Sequence, residues 1–211
     1  KHVSLNIHPA DGIRAFEDQY PLVAKDLDLD TKNEEPAAFD LANAKFRNAY
    51  FKDVLHPLEK EGIDFWWIDW QQGFSKSKSS LDPLWLLNHN QYEDIKKEKP
   101  YAALILSRYA GVGSHRYPLG FSGDTVISWK SLDFQPYFTI TAANIGYTWW
   151  SHDIGGHMHG SYDPELSLRW LQFGVFSPIM RLHSSDNPFM GKEPWQYDLE
   201  TDKSMTRFMR L

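Results

Sequence analysis

The chain has 211 residues, of which 42% are hydrophobic and 15% aromatic, enough for a substantial core in one domain or in part of a larger one. A formal net charge of −6 and the lack of any basic run argue against nucleic acid as a partner. No run approaches the roughly 18 consecutive apolar residues of a membrane span, so we expect no membrane partner. The absence of cysteine excludes disulfides and thiolate metal sites and leaves the compartment undetermined.

Apolar runs and helical spacing alternate along the chain. Apolar runs predict strands at residues 3–7, 62–69, 101–108, 139–150 and 175–181. Apolar positions three or four apart predict helices at residues 37–60, 83–97, 126–138, 164–176 and 201–211, the third of them broken near Pro136. Asp82 is the predicted N-cap of the second helix, and Thr201 or Asp202 that of the last. Residues 75–80 indicate a polar linker.

Charged side chains stand at the ends of the predicted strands. They are Asp69, Arg108, Asp153, and Arg181 with His183. Alternating strands and helices predict an α/β fold, and charges repeated at strand ends favour one rim of a (β/α)8 TIM barrel. Five strands do not close an eight-stranded barrel. We therefore expect residues 1–211 to form a partial catalytic barrel of about five βα units, cut at both ends from a longer chain.

Two carboxylates are the candidate reacting groups. Asp69 ends the apolar run that begins at Gly62, and a buried charge at such a position is costly unless it is paired or used. Asp124 ends a glycine-rich loop and precedes a predicted helix, so an N-cap is the alternative interpretation for it. Two carboxylates on a rim rich in aromatic residues suggest glycoside hydrolysis.

Four motifs resemble those of glycoside hydrolase family 31. Residues 106–124 are similar to the family's acid/base segment, which runs from Ser-Arg to Gly-X-Trp-(Ser/Thr)-Gly-Asp, with Phe121 in place of the usual Trp. Residues 67–69, Trp-Ile-Asp, are similar to its nucleophile motif. Residues 152–156, His-Asp-Ile-Gly-Gly, and residues 176–183, which contain Arg181 and His183, resemble two further family motifs. The four motifs follow the family's order.

The resemblance implies a retaining α-glycosidase, α-glucosidase-like, that hydrolyses terminal α-linked sugars and needs no cofactor and no metal. Asp69 would be the nucleophile that forms a covalent glycosyl-enzyme, and Asp124 the acid and then the base. The expected substrate-binding residues are Trp67, Trp70, Arg108, Phe121, Asp153, His157, Arg181 and His183.

Several positions depart from the family pattern. Trp70 and the two glutamines after it stand where Met-Asn-Glu is common, and His157 stands where many α-glucosidases have Phe. Together with Phe121 these residues change the wall of the sugar pocket, so α-xylosides, α-galactosides and α-N-acetylgalactosaminides stay open as substrates. A family Asp from an earlier strand is missing. We therefore expect the remainder of a parent chain, or another copy, to complete the barrel, and this chain alone to be weakly active or inactive.

Two other functions compete with hydrolysis by the carboxylate pair. One is a non-catalytic carbohydrate-binding barrel fragment, which would also explain the aromatic residues. The other is a metal-dependent hydrolase using His152, His157, His159 and Asp153, although no His-Glu-x-x-His motif is present. Three tryptophans, Trp66, Trp149 and Trp150, are expected in the core. For Trp67 and Trp70 both interpretations stay open: a core position, or a surface on which a sugar ring stacks.

Overall fold

A computed structural model describes residues 2–70, 81–108, 111–117, 119–187 and 190–211. The chain divides into two compact units, Lys1–Pro118 and Leu119–Leu211, called unit 1 and unit 2 below. The predicted linker at residues 75–80 lies outside the described residues. In the part of the chain that the structure describes, no helix has the length and apolar character needed to span a membrane.

Unit 1 is built on three parallel strands. They are β1 (Ser4–Ile7), β2 (Phe65–Ile68) and β3 (Ile105–Arg108). The central strand pairs on both sides, with Trp66 opposite Leu5 of β1 and Ile105 of β3. The helices of this unit are α1 (Tyr20–Leu27), α2 (Ala44–Ala49), α3 (His56–Lys60) and α4 (Pro83–Glu98). Trp66 and Ile68, which share one face of β2, are almost completely buried, whereas Phe65 and Trp67 on the other face are only partly buried.

The helix predicted at residues 37–60 begins later than its pattern indicates. Asn43 caps α2, because its Oδ1 accepts hydrogen bonds from the backbone N–H groups of Lys45 and Phe46 at 2.9 and 3.4 Å. Upstream, Ala37 instead forms an antiparallel bridge with Ile13. Between α2 and α3 the helix continues as a π-helical segment, Tyr50–Leu55. The helix therefore begins at Ala44 and not at Ala37, about two turns later than predicted, whereas its predicted end at Lys60 is right.

The helix that follows β2 agrees with the sequence. Asp82 caps α4 through a 3.0 Å hydrogen bond from the Trp85 backbone N–H, and Pro83 is the first helical residue. The predicted cap is confirmed, and the helix end differs by one residue from the prediction.

Within its described residues, unit 2 contains two short parallel strands and three α-helices. The strands are β4 (Gly120–Phe121) and β5 (Trp150–Ser151), paired in parallel. The helices are α5 (Trp129–Ala143), α6 (Pro164–Val175) and α7 (Leu199–Phe208). Strand β4 was not predicted, because two residues are too few to show a strand period.

Two predictions in unit 2 were wrong. Helix α5 continues through Pro136 to Ala143, so residues 139–149 do not form the predicted strand. Phe138 and Ala142, four residues apart on one helix face, pack with Trp150, the Phe138 ring lying 4.6 Å from it. This packing outweighs the β-branched run at residues 139–141 that suggested a strand. The strand predicted at 175–181 is reduced to isolated bridges, one of them between Ser151 and Ile179.

Two smaller corrections concern a cap and a tryptophan. Helix α7 is capped by Asp198, which accepts 3.0 Å hydrogen bonds from the N–H groups of Glu200 and Thr201, and not by Thr201 or Asp202. Trp66 and Trp150 are buried as predicted, whereas 56% of Trp149 is exposed. Trp149 directly precedes β5, whose two residues are both buried.

Candidate active site

Asp69 lies directly after β2 and is held by a cation. Arg108, the last residue of β3, donates from Nε to Asp69 Oδ1. The parallel register pairs Ile68 with Ser107, so the residues that follow them, Asp69 and Arg108, lie side by side. His8 Nε2 lies 3.4 Å from the other carboxylate oxygen, Oδ2. Asp69 is 8% exposed, so a buried carboxylate sits between basic groups from the ends of the two neighbouring strands, β1 and β3.

The two tryptophans beside Asp69 have different settings. Trp70 is 6% exposed, and its ring centroid lies 5.2 Å from that of Phe39 in the core of unit 1. Trp67, on the opposite face of β2 from Trp66, is partly exposed. The structure thus places Trp70 in the core and leaves part of Trp67 open to a ligand.

Asp153 and Arg181 form a second carboxylate–guanidinium pair, in unit 2. Arg181 donates from Nη2 to Asp153 Oδ1 and from Nε to Ser151 Oγ at 2.9 Å. The Asp153 backbone N–H donates to Ser122 Oγ at 3.0 Å, and Asp153 is only 1% exposed. The guanidinium carbon lies 5.4 Å from the centroid of the Phe121 ring, a cation–π arrangement. The face of the Phe121 ring therefore packs against the guanidinium of Arg181.

Asp124 does not cap the helix that follows it. Helix α5 is capped by Ser128, whose Oγ accepts from the Ser131 N–H at 3.1 Å. Asp124 instead faces His157, with Nε2 of the histidine 3.6 Å from Oδ1. The rings of His157 and His183 stack at 4.6 Å with an interplanar angle of 17°. The Asp124 and His157 side chains are 26% and 28% exposed, so solvent or a ligand reaches both.

The histidines of the metal alternative are separated. His152 is completely buried, its Nδ1 lies 2.7 Å from Gln135 Oε1, and burial lowers its pKa to about 4. His159 is exposed and adopts a positive φ of 53°. Among the residues that the structure describes, metal-ligand spacing is found instead for Asp124, His157 and His183, whose ligand atoms all lie within 4.8 Å of one another.

Three polar residues that contact the predicted site residues were not predicted from the sequence. His8 directly follows β1, and its place at a strand end was the signal that could have found it. Ser122 binds Asp153 and directly follows β4, and Ser151 binds Arg181 and ends β5, but the sequence did not delimit either strand. A serine in a loop pattern has no distinguishing feature without that pairing.

In each unit, parallel strands lead to a carboxylate held by an arginine, an arrangement typical of barrel enzymes of the α/β class. The profile of the Glycosyl hydrolases family 31 TIM-barrel domain matches residues 2–211. The chain belongs to glycoside hydrolase family 31, and the predicted TIM-barrel fold class and family resemblance are both confirmed.

Related sequences include xylosidases and glucosidases. An Alpha-xylosidase of Saccharolobus solfataricus is 30% identical over 173 residues, which cover 78% of this chain and 23% of the relative. An uncharacterized family 31 glucosidase of Pseudescherichia vulneris is 35% identical, over 67% of this chain and 33% of the relative. The human Neutral alpha-glucosidase C is 30% identical over 54% of this chain and 12% of its own. The chain thus spans a third or less of the length of these relatives.

Solved structures agree on the fold. A xylosidase from Aspergillus niger superposes with a TM-score of 0.72 at 19% identity, over 99% of this chain and 38% of that one. An ER glucosidase II heterodimeric complex gives a TM-score of 0.71 at 18% identity, over 100% of this chain and 26% of that one.

Proposed function

We propose that this chain is part of a retaining α-glycosidase that releases terminal α-linked sugars. Asp69 is the nucleophile and Asp124 the acid/base. The observation that supports this most directly is the Asp69 carboxylate, held by Arg108 at the end of β2 in a chain of glycoside hydrolase family 31. In the proposed protein, residues 1–211 are a portion of the catalytic barrel, and the remainder of the parent chain or another copy completes it.

The reaction has two balanced steps. In the first, a carboxylate oxygen of Asp69 attacks the anomeric carbon, the glycosidic C–O bond breaks, and Asp124 gives its proton to the departing oxygen. In the second, water attacks the same carbon, passes a proton to Asp124, and releases the Asp69 carboxylate. Two inversions give net retention of configuration, and no redox group or cofactor takes part.

Arg108 positions the nucleophile in this proposal. A charge-assisted hydrogen bond from its Nε occupies Oδ1 of Asp69 and fixes the plane of the carboxylate. The other oxygen, Oδ2, then faces His8 at 3.4 Å and is the one with a polar, partly exposed neighbour. We assign the attacking role to Oδ2.

The Asp153–Arg181 pair and the rings around it form the proposed sugar-binding surface of unit 2. The Asp153 side chain is completely buried and holds the guanidinium of Arg181, which is 20% exposed and presents fixed donors for sugar hydroxyls. The partly exposed His157–His183 stack supplies a flat face for a sugar ring, whereas Phe121, 1% exposed, packs against the Arg181 guanidinium and helps to hold it. Trp67 adds a partly exposed ring in unit 1. The relatives named above include both xylosidases and glucosidases, so α-xylosides and α-glucosides are the first substrates to compare.

The test uses the full-length protein that carries this sequence. Nitrophenyl α-glycosides of glucose, xylose, galactose and N-acetylgalactosamine are supplied in turn, and NMR follows the anomer first released. An α-anomer is expected, and a β-anomer would overturn the retaining mechanism. Asp69→Asn should abolish turnover, whereas Asp18→Asn, an exposed carboxylate in the same unit, should not.

A carbohydrate-binding fragment without catalysis is the outcome to be distinguished. It predicts saturable sugar binding with no turnover by the full-length protein. For the isolated 211-residue chain we expect turnover far below that of the full-length protein, because a missing pocket wall removes substrate positioning. Equal rates for the two would contradict that expectation.

A further inference from the structure

We propose that Asp124, His157 and His183 form a divalent-cation site, suited to Zn²⁺, that the glycosidase reaction does not use and that blocks it when filled. The site lies wholly in unit 2. Two imidazoles and one carboxylate are a common ligand set for zinc, with further positions left for water or another oxygen ligand.

The geometry needs little change to hold the ion. Zinc bonds of about 2.0–2.1 Å in a tetrahedral site place ligand atoms roughly 3.3 Å apart. Nε2 of His157 already lies 3.6 Å from Oδ1 of Asp124, and the ligand atoms of all three residues lie within 4.8 Å of one another. Rotation of the side chains closes the remaining gap, since Asp124 and His157 are both partly exposed.

The hydrogen bonding of His157 is the second observation that points to a ligand. Nδ1 of this ring is buried and has no hydrogen-bond partner among the described residues. The 3.6 Å between Nε2 and Asp124 is longer than a hydrogen bond. Nε2 is therefore available to a metal ion, which would leave the buried Nδ1 as it is. His157 also stands where the family often has Phe, which has no nitrogen to offer.

A cation that is close to the site in sequence is already paired. Arg181, two residues before His183, already donates to Asp153 and Ser151, so its charge is compensated by a buried carboxylate. The backbone holds the ligands in place, since the His157 N–H donates to Thr125 O at 2.7 Å, one residue after Asp124.

The inhibitory part rests on the proposed function. A carboxylate bound to a metal ion carries no proton for the departing glycosidic oxygen, and the ion occupies the volume beside the sugar. Zn²⁺ is therefore expected to inhibit reversibly, and a chelator to restore the rate.

Direct binding tests the site without reference to catalysis. The full-length protein, freed of metal, is titrated with ZnCl₂ by calorimetry and with Co²⁺ by visible absorption, where tetrahedral coordination gives intense d–d bands. We expect one Zn²⁺ per chain at this site. Loss of an outer-sphere partner weakens metal binding about 10–100-fold, so His157→Phe, which removes a direct ligand, should weaken it at least as much.

Matched variants guard against unfolding as the cause. His157→Gln keeps a polar side chain of similar length and should also weaken binding, and near-UV circular dichroism checks that both variants fold. His159→Asn is the control, because His159 is exposed and Asn tolerates its positive φ; it should bind Zn²⁺ as the parent does. No saturable Zn²⁺ binding by the parent, or binding unchanged in both folded His157 variants, would overturn the site.

Inhibition of glycoside hydrolysis separates the two proposals. Zn²⁺ should lower the rate of the parent, and His157→Phe, compared with its own metal-free rate, should require at least about tenfold more Zn²⁺ for the same fractional loss. A protein that hydrolyses α-glycosides but binds no Zn²⁺ overturns the metal site and leaves the proposed function intact. A protein that binds Zn²⁺ through His157 but hydrolyses no α-glycoside overturns the proposed function and leaves the metal site intact.

Discussion

Asp69 in unit 1 and Asp124 in unit 2 have opposite surroundings. Asp69 is buried and receives a hydrogen bond from the guanidinium of Arg108. Asp124 is 26% exposed in its side chain and faces an imidazole at 3.6 Å. One carboxylate is fixed by a permanent cation, and the other lies beside a partly exposed imidazole.

That difference matches the two roles that we propose. A nucleophile must hold one orientation throughout attack and release, which burial and a guanidinium provide. An acid that becomes a base must exchange a proton with water, which requires access. The structure thus separates a rigid setting from an accessible one, and replacing each carboxylate tests that separation.

Replacing the carboxylates should have the largest effect. Asp69→Asn should lower kcat by roughly 10⁴-fold or more for every α-glycoside, because the covalent step is lost. Asp124→Asn should cost about 10²–10⁴-fold for a substrate with a poor leaving group and much less for a nitrophenyl glycoside, whose leaving group needs no proton. Equal losses for both variants on both substrates would remove the distinction between the two carboxylates.

Removing the arginine that pairs with the buried Asp153 should have the next largest effect. Arg181→Met leaves the Asp153 carboxylate, 1% exposed, without its cation, and breaking a buried pair in this way costs about 3–5 kcal/mol. Arg108→Met should destabilise less, since Asp69 is more exposed and has His8 nearby. Chemical denaturation of the full-length variants measures both, and a larger loss for Arg108→Met would contradict this order.

Acidification should then weaken unit 2 through His152. Its folded pKa is about 4, below the ordinary value of 6.5, so the unfolded chain takes up a proton first as pH falls. The stability from neutral His152 is complete above pH 6.5 and decreases by about 3 kcal/mol on going down to pH 4. His152→Gln should show a flatter slope between those values in denaturation experiments. An unchanged slope would mean that His152 is not the titrating group.

The helix caps give the smallest effect. Asp198 accepts from Glu200 N, Thr201 N and Thr201 Oγ1, whereas Asp82 caps α4 through the Trp85 N–H. Each Asp→Ala change should cost about 1 kcal/mol, with Asp198→Ala the more destabilising of the two. Asp82→Asn and Asp198→Asn, which keep a capping oxygen, are the controls.

The features that could be predicted from the sequence are those that depend on the ends of strands and on local helix caps. Asp69 and Arg108 could be brought together in advance because parallel strands place their carboxyl ends on one edge, and Asp82 because a cap is a local hydrogen bond. The stack of His157 on His183 could not, since the two lie 26 positions apart by numbering in segments without a regular period. The course of α5 was hidden for a related reason, because the packing of Phe138 on Trp150 is a tertiary contact.

The π-helical segment Tyr50–Leu55 sets the rotational phase of α3. An ordinary α-helix advances about 100° per residue, so one residue more or fewer in this segment turns everything after it by that angle. With the phase as it stands, His56 points at α4 and its Nε2 lies 2.7 Å from Asp94 Oδ2. A single-residue deletion between Tyr50 and Leu55 would shorten the helix only slightly yet turn His56 away from its carboxylate. The π-helical segment therefore determines which side chains of α3 face α4.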